Sequence, residues 1–184
     1  FSGVAKDAKI IAVQVFSRVD DQELCGKRPA PCLQSLSSDL QSAMIWVIDK
    51  SDEYEIASVN MSLGAGAFSA NCDGDGDWFG VAFYMGQLKQ LGIAPVAASG
   101  NDGNKMGISA PACISSVVSV GSTSKADVVA SNSNSASILD LLAPGVDIYS
   151  SLPASGYGYN AYAYLSGTSM ATPHVAGAFA VLKS

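Results

Sequence analysis

The sequence predicts an α/β fold, a three-layer sandwich with a mostly parallel sheet between helices. Three observations support this class. Apolar runs of strand length alternate with stretches whose apolar residues recur at helical spacing. The composition, 48% apolar and 14% charged with 18 glycines, belongs to a folded chain with tight turns. Loops combining Gly with a small polar residue follow two of the runs and open the last helix, and in such sheets sites gather at the C-terminal ends of strands.

The elements follow in order. "KIIAVQVF", residues 9–16, reads as a buried strand. Residues 36–49 place Leu36, Leu40, Ala43, Met44 and Val47 on one helical face. A second strand is expected at 55–61, a helix at 78–91 closed by Gly92, and a third strand at 93–99. Short strands follow at 115–122 and 138–144. "DIYSSLP" and "YNAYAYLSG" can pair around Gly156 and Gly158, and an apolar helix fills 169–183. The Ser/Asn-rich "ASNSNSAS", 130–137, is expected as a loop.

At 184 residues, one domain is expected. A net charge of −6 without a Lys/Arg cluster argues against a nucleic-acid partner or an anionic membrane. No apolar run reaches the roughly 20 residues a membrane span needs. The opening "FSGVAKDAKIIAVQVF" lacks a cationic start followed by a cleavage site, so the chain is expected to begin inside a domain. The four cysteines fit no zinc spacing. An even count in an acidic, Lys-poor chain favours two disulfides over four thiols, and with them an oxidising compartment. Cys25 and Cys32 flank the turn-rich "CGKRPAPC", while Cys72 and Cys113 lie far apart in sequence.

"SGTSMATPHVAG", residues 166–177, holds a serine and the chain's one histidine. Ser169 reads either as a helix cap or as a nucleophile at a helix N-terminus, where free N–H groups face an oxyanion. Pro173 is expected in the first turn, where a missing N–H is tolerated. His174 lies five residues on, about 140° round the helix and about 7.5 Å along it, too far to serve as the base. Asn101 in "AASGND" is a turn residue or an amide donor to the same oxyanion. In "SLGAG", 62–66, Gly64 and Gly66 would let a peptide lie along the edge as an added strand. "CDGDGD", 72–77, lacks the remaining EF-hand ligands and terminal Glu, so a solvated turn is expected there.

"GTSMATPHVAG" matches, nearly letter for letter, the segment around the catalytic serine of the subtilisin-like serine proteases, the subtilases. "VNMSLGAG" resembles their substrate-binding strand and "VAASGNDG" the segment bearing the oxyanion asparagine. "GVAKDAKIIAVQVF" and "LDLLAPGVDIYSS" resemble two further stretches, so the likeness spans essentially all 184 residues. It implies a subtilisin-like sheet whose opening strands and helices are missing, the last two-thirds of a catalytic domain.

By this resemblance Ser169 is the nucleophile and Asn101 the oxyanion donor. Ser62, Leu63 and Gly64 would hold the substrate backbone, and Ala98, Ser99 and Gly100 would wall a pocket with room for a sizeable apolar side chain. It implies an extracellular endopeptidase in which Cys72 pairs with Cys113 and Cys25 with Cys32. It implies no cofactor and no catalytic metal, and admits a structural calcium ion. The family's "D[ST]G" and "HGTHVAG" motifs, which carry its catalytic Asp and His, do not occur here. The 184-residue chain alone is therefore expected to be inactive, with a peptide-binding remnant as the alternative reading. A segment of the same domain, or a dimer partner, is expected to cover the exposed sheet edge.

Overall fold

The computed structural model describes residues 3–26, 28–153 and 161–184. At its centre four strands run parallel: β3 (Ser58–Met61), β5 (Ala94–Ala98), β7 (Val118–Thr123) and β8 (Leu141–Pro144), in the spatial order β3-β5-β7-β8. Helices α2 (Ser37–Asp49) and α3 (Phe79–Gln90) pack against each other, and α3 contacts β5. Helix α4 (Thr168–Lys183) packs on β3, β5, β7 and β8.

Strand alternation separates two cores. Val96 and Val120 pack with Ala143, Ala171, Val175 and Ala176 under α4. Ala97 joins Met44, Val47, Met85, Leu88 and Ile93 in the core of α2 and α3. Cover on both sides explains why β5 is apolar throughout and why β7, which carries Ser119, Ser122 and Thr123 beside its valines, is buried as well.

Local signals end the helices where expected. The Asp39 carboxylate accepts the Leu36 N–H at 3.3 Å, at the start of α2. Four of the five predicted apolar positions of that helix are buried, whereas Leu36 is its exposed N-cap. Gly92, at φ +72°, ends α3 in the left-handed region, and the Ile93 N–H reaches back to the Leu88 carbonyl at 2.9 Å. Ile93 is 2% exposed, so Ile93→Val should lower the unfolding free energy by about 0.5–1.5 kcal/mol in a urea titration.

The hairpin of β9 (Ile148–Ser151) and β10 (Tyr162–Leu165) is antiparallel. Gly156 and Gly158, the expected turn, lie outside the described residues. Two short strands, β4 (Ala65–Phe68) and β6 (Ile108–Ala110), pair antiparallel within stretches the sequence left as loops.

The expected strand at 9–16 is not one. Its residues join no ladder among the described residues, and pairing starts only at β1 (Ser17–Val19), antiparallel to β2 (Cys32–Gln34), with α1 (Gln22–Cys25) between them. Ile10 is 91% exposed, Ile11, Val13 and Phe16 are exposed too, and Val15 packs against the core. A strand persists only where its backbone groups find partners. Among the described residues no strand reaches 9–16, where the Phe16 carbonyl has only the Gln14 amide, and β3 is a sheet edge bonded to β5 alone. An open cavity of about 330 Å³ lies between residues 13–17 and Asp39, Ala43 and Trp46 of α2, and none of the candidate site residues lines it.

Cys25 is bonded to Cys32 and Cys72 to Cys113. The "CDGDGD" stretch forms a turn into α3. Its Asp73 carboxylate accepts from the Ser115 N–H and hydroxyl at 3.1 and 2.7 Å, and Asp75 accepts the Asp77 N–H. No group of three or more His, Cys, Asp or Glu side chains is arranged to hold a metal among the described residues.

Candidate active site

Helix α4 starts one residue earlier than expected. Gly167 is its N-cap, without a side-chain cap bond, and Ser169 is the second helical residue. The cap reading of Ser169 therefore fails. Its hydroxyl faces the Ser62 carbonyl at 3.4 Å, and its N–H has no acceptor among the described residues, as an orphan of the first turn.

The earlier start also moves Pro173 past the first turn. Residue 173 would normally donate to the Ser169 carbonyl, and proline has no N–H to give. The Ser62 hydroxyl takes that carbonyl instead, at 2.8 Å, while accepting from the Asn60 amide at 3.1 Å. The end of β3 is thereby tied to the peptide of Ser169.

Asn101 stands on the loop after β5. Its Oδ1 accepts both the Thr168 N–H at 2.8 Å and the Thr168 hydroxyl at 3.2 Å. A backbone N–H can only donate, so this bond fixes which end of the amide is oxygen. The Nδ2 group, which donates to nothing among the described residues, remains for an acceptor in the site. Thr168 is fully buried and its hydroxyl also accepts the Gly100 N–H at 3.3 Å.

One cavity of about 240 Å³ brings most of the predicted residues together: Leu63, Gly64, Ala98, Gly100, Asn101 and Ser169. It opens where β3 and β5 end, beside the first turn of α4. Two predicted residues do not line it. Ser62 acts from beside it through the bond just described. Ser99 is fully buried, and its hydroxyl donates to the Asn134 carbonyl at 2.9 Å. Alternation turns Ser99 away while Ala98 and Gly100 face the cavity. Asp102, Ser109 and Thr168 line it as well and were not singled out from the sequence. Asp102 and Thr168 sit within the quoted motifs, whereas nothing local marks Ser109.

His174 lies on α4, half-buried, with Nδ1 2.8 Å from the Met170 carbonyl one turn back. It is occupied within its own helix. Titration is perturbed on the turn after α2, outside this site, where Lys50 beside Glu53 holds that carboxyl below the usual range and is itself raised by it.

The model of the subtilase family matches residues 1–184. The chain belongs to the subtilase family. It is 33% identical over 183 residues to the thermophilic serine proteinase of Bacillus sp. strain AK1, covering 100% of this chain and 38% of that one. It is 36% identical over 181 residues to the minor extracellular protease Epr of Bacillus subtilis strain 168, covering 98% of this chain and 23% of that one. A crystal structure of a cold adapted subtilisin-like serine proteinase superposes with a TM-score of 0.63 at 34% identity, covering 82% of this chain and 49% of that chain. This subtilase chain thus spans half or less of each relative's length. The mixed α/β architecture with its parallel four-stranded sheet is that of subtilisin-fold proteins.

Proposed function

We propose that this subtilase chain is the nucleophile-bearing part of a secreted serine endopeptidase. One observation carries the reading. Ser169, whose N–H has no acceptor among the described residues, and Asn101, whose Nδ2 donates to none of them, meet at a single cavity beside small residues. In this reading Ser169 Oγ attacks a peptide carbonyl, and the Ser169 N–H and Asn101 Nδ2 hold the oxyanion of the tetrahedral intermediate. The base that takes the proton from Ser169 Oγ passes it to the leaving amine. After the amine departs, the same base deprotonates the water that releases the acyl group and returns the proton to Ser169 Oγ. Residues 62–64 would hold the substrate backbone. Gly64, Ala98 and Gly100 leave space for an apolar side chain, and no cofactor takes part.

The sequence has a single histidine, and it is bound to Met170. The base and its carboxylate partner would come from outside residues 1–184, as the partial coverage of each relative allows. The same segment, or a second copy of the chain, would cover the free edge of β3 and the exposed apolar residues 10–16. Two disulfides and the extracellular relative support secretion.

A second reading, a non-catalytic peptide binder, is favoured by the Ser169 hydroxyl resting against the Ser62 carbonyl with no base beside it. Labelling with a fluorophosphonate separates the two. The full-length protein should be labelled at Ser169 and should cleave an unfolded protein. Residues 1–184 alone should do neither. A full-length protein that binds extended peptide yet takes no label would establish the second reading.

A further inference from the structure

We infer that Asn134 is a positioning residue for the oxyanion side of the site. This inference rests on the acyl-transfer reading above. Asn134 sits in "ASNSNSAS", about 30 residues beyond Asn101, and is fully buried. Its Oδ1 accepts the N–H groups of Asp102 and Asn104 at 2.9 and 3.0 Å, and its Nδ2 donates to Asp102 Oδ2 at 3.1 Å. Its own N–H donates to the Gly100 carbonyl at 2.9 Å, and its carbonyl accepts from Ser99 Oγ. Every side-chain bond of Asn134, and its two main-chain bonds to Ser99 and Gly100, thus ends on the loop that presents Asn101.

Those bonds fall on both sides of Asn101 in sequence, on residues 99–100 and 102–104. The loop is curled around one amide, so that its backbone groups point inward and the Asn101 side chain outward to Thr168. Gly100 shows how close the fit is. At φ +107° an added Cβ would lie 2.3 Å from Asn134 Nδ2. The rest of the segment reinforces the grip, with the Gly103 N–H on the Asn132 carbonyl at 2.8 Å and the Ser135 N–H on the Asn104 carbonyl at 2.8 Å. The charged groups facing this cluster are Asp102 and the Lys105 ammonium, which donates to the Ser131 and Ser133 carbonyls at 3.2 and 2.6 Å.

Replacing the side chain by a methyl strands two N–H donors and frees the loop. A displacement near 1 Å at a catalytic donor costs on the order of 10² in rate. In the full-length protein, Asn134→Ala should lower kcat on the order of 10²-fold with KM little changed. Hydrogen exchange at the Asp102 and Asn104 amides should accelerate about tenfold or more, while amides of β5 stay protected. The exchange of roles gives a rescue. Asn134→Asp alone sets two carboxylates against each other, whereas Asn134→Asp with Asp102→Asn restores all three contacts, with the direction of the side chain to side chain bond reversed. That pair should recover kcat to the level of Asp102→Asn alone.

Unchanged exchange at 102 and 104, or faster exchange with unchanged kcat, would overturn the assignment. If Asn134→Ala fails to fold, failure of the paired variant to recover kcat overturns it equally. If the wild-type protein cleaves no peptide, the acyl-transfer reading falls, and the exchange measurement alone then decides whether Asn134 holds the loop.

Discussion

Asn101→Ala in the full-length protein should lower kcat by a factor on the order of 10²–10³ and leave KM nearly unchanged. The asymmetry follows from how the amide is held. Its oxygen is committed twice to Thr168, so the substitution removes one donor from the cavity and leaves the Ser169 N–H as the other. A donor aimed at charge that exists only in the tetrahedral intermediate has little to offer the neutral ground-state carbonyl. Asn101→Asp should be slower still, because it keeps the bonds to Thr168 but replaces the donor with an anionic oxygen facing the developing charge. Steady-state kinetics on a peptide amide substrate read both effects. A loss confined to KM would show that Asn101 binds substrate and takes no part at the oxyanion.

The second large effect concerns stability. Removing the Cys72–Cys113 bond should cost about 4 kcal/mol, against roughly 2.5 kcal/mol for Cys25–Cys32. The difference comes from the loops they close, with sequence separations of 41 and 7 residues. The longer loop contains all of α3 and β5, so this crosslink restricts the unfolded chain across one side of the sheet. Both of its cysteines are buried, at 4% and 1% exposure, and the Cys72 N–H donates to the Cys113 carbonyl at 3.1 Å. Urea titrations of the paired serine variants compare the two directly. Equal losses would mean that loop closure is not what these bonds contribute.

The parts of the fold legible in the sequence were those with a repeating local pattern. The apolar face of α2, the first half of α4 as far as Ala176, and the strands β5 and β7 are buried, so helical periodicity or a short run rich in apolar residues reveals them. The same logic misled at residues 9–16, where an apolar run has the composition of a strand but finds no backbone to pair with. Strands β4 and β6 are four and three residues long and carry Gly and Ala, too little pattern to register.

At the site, the quoted motifs supplied Ser169, Asn101, Leu63, Gly64, Ala98 and Gly100, all of which line one cavity. The facing of Ser99 depends on the phase of β5, which composition does not reveal. Asn134 is harder still to read. "ASNSNSAS" resembles a solvated loop because its neighbours are small and polar, yet the residue at its middle is fully buried and serves a loop about 30 residues away.

Pro173 has a mechanical consequence. A helix that spends every main-chain acceptor internally can turn about its axis as a separate rod. Here the proline leaves the peptide after Ser169 short of its donor, and the hydroxyl on the strand end supplies one. The first turn of α4 and the platform at 62–64 are therefore latched together. In the acyl-transfer reading proposed above, a peptide held at 62–64 would be aligned in the same act with the serine hydroxyl, and the registration would need no closing motion.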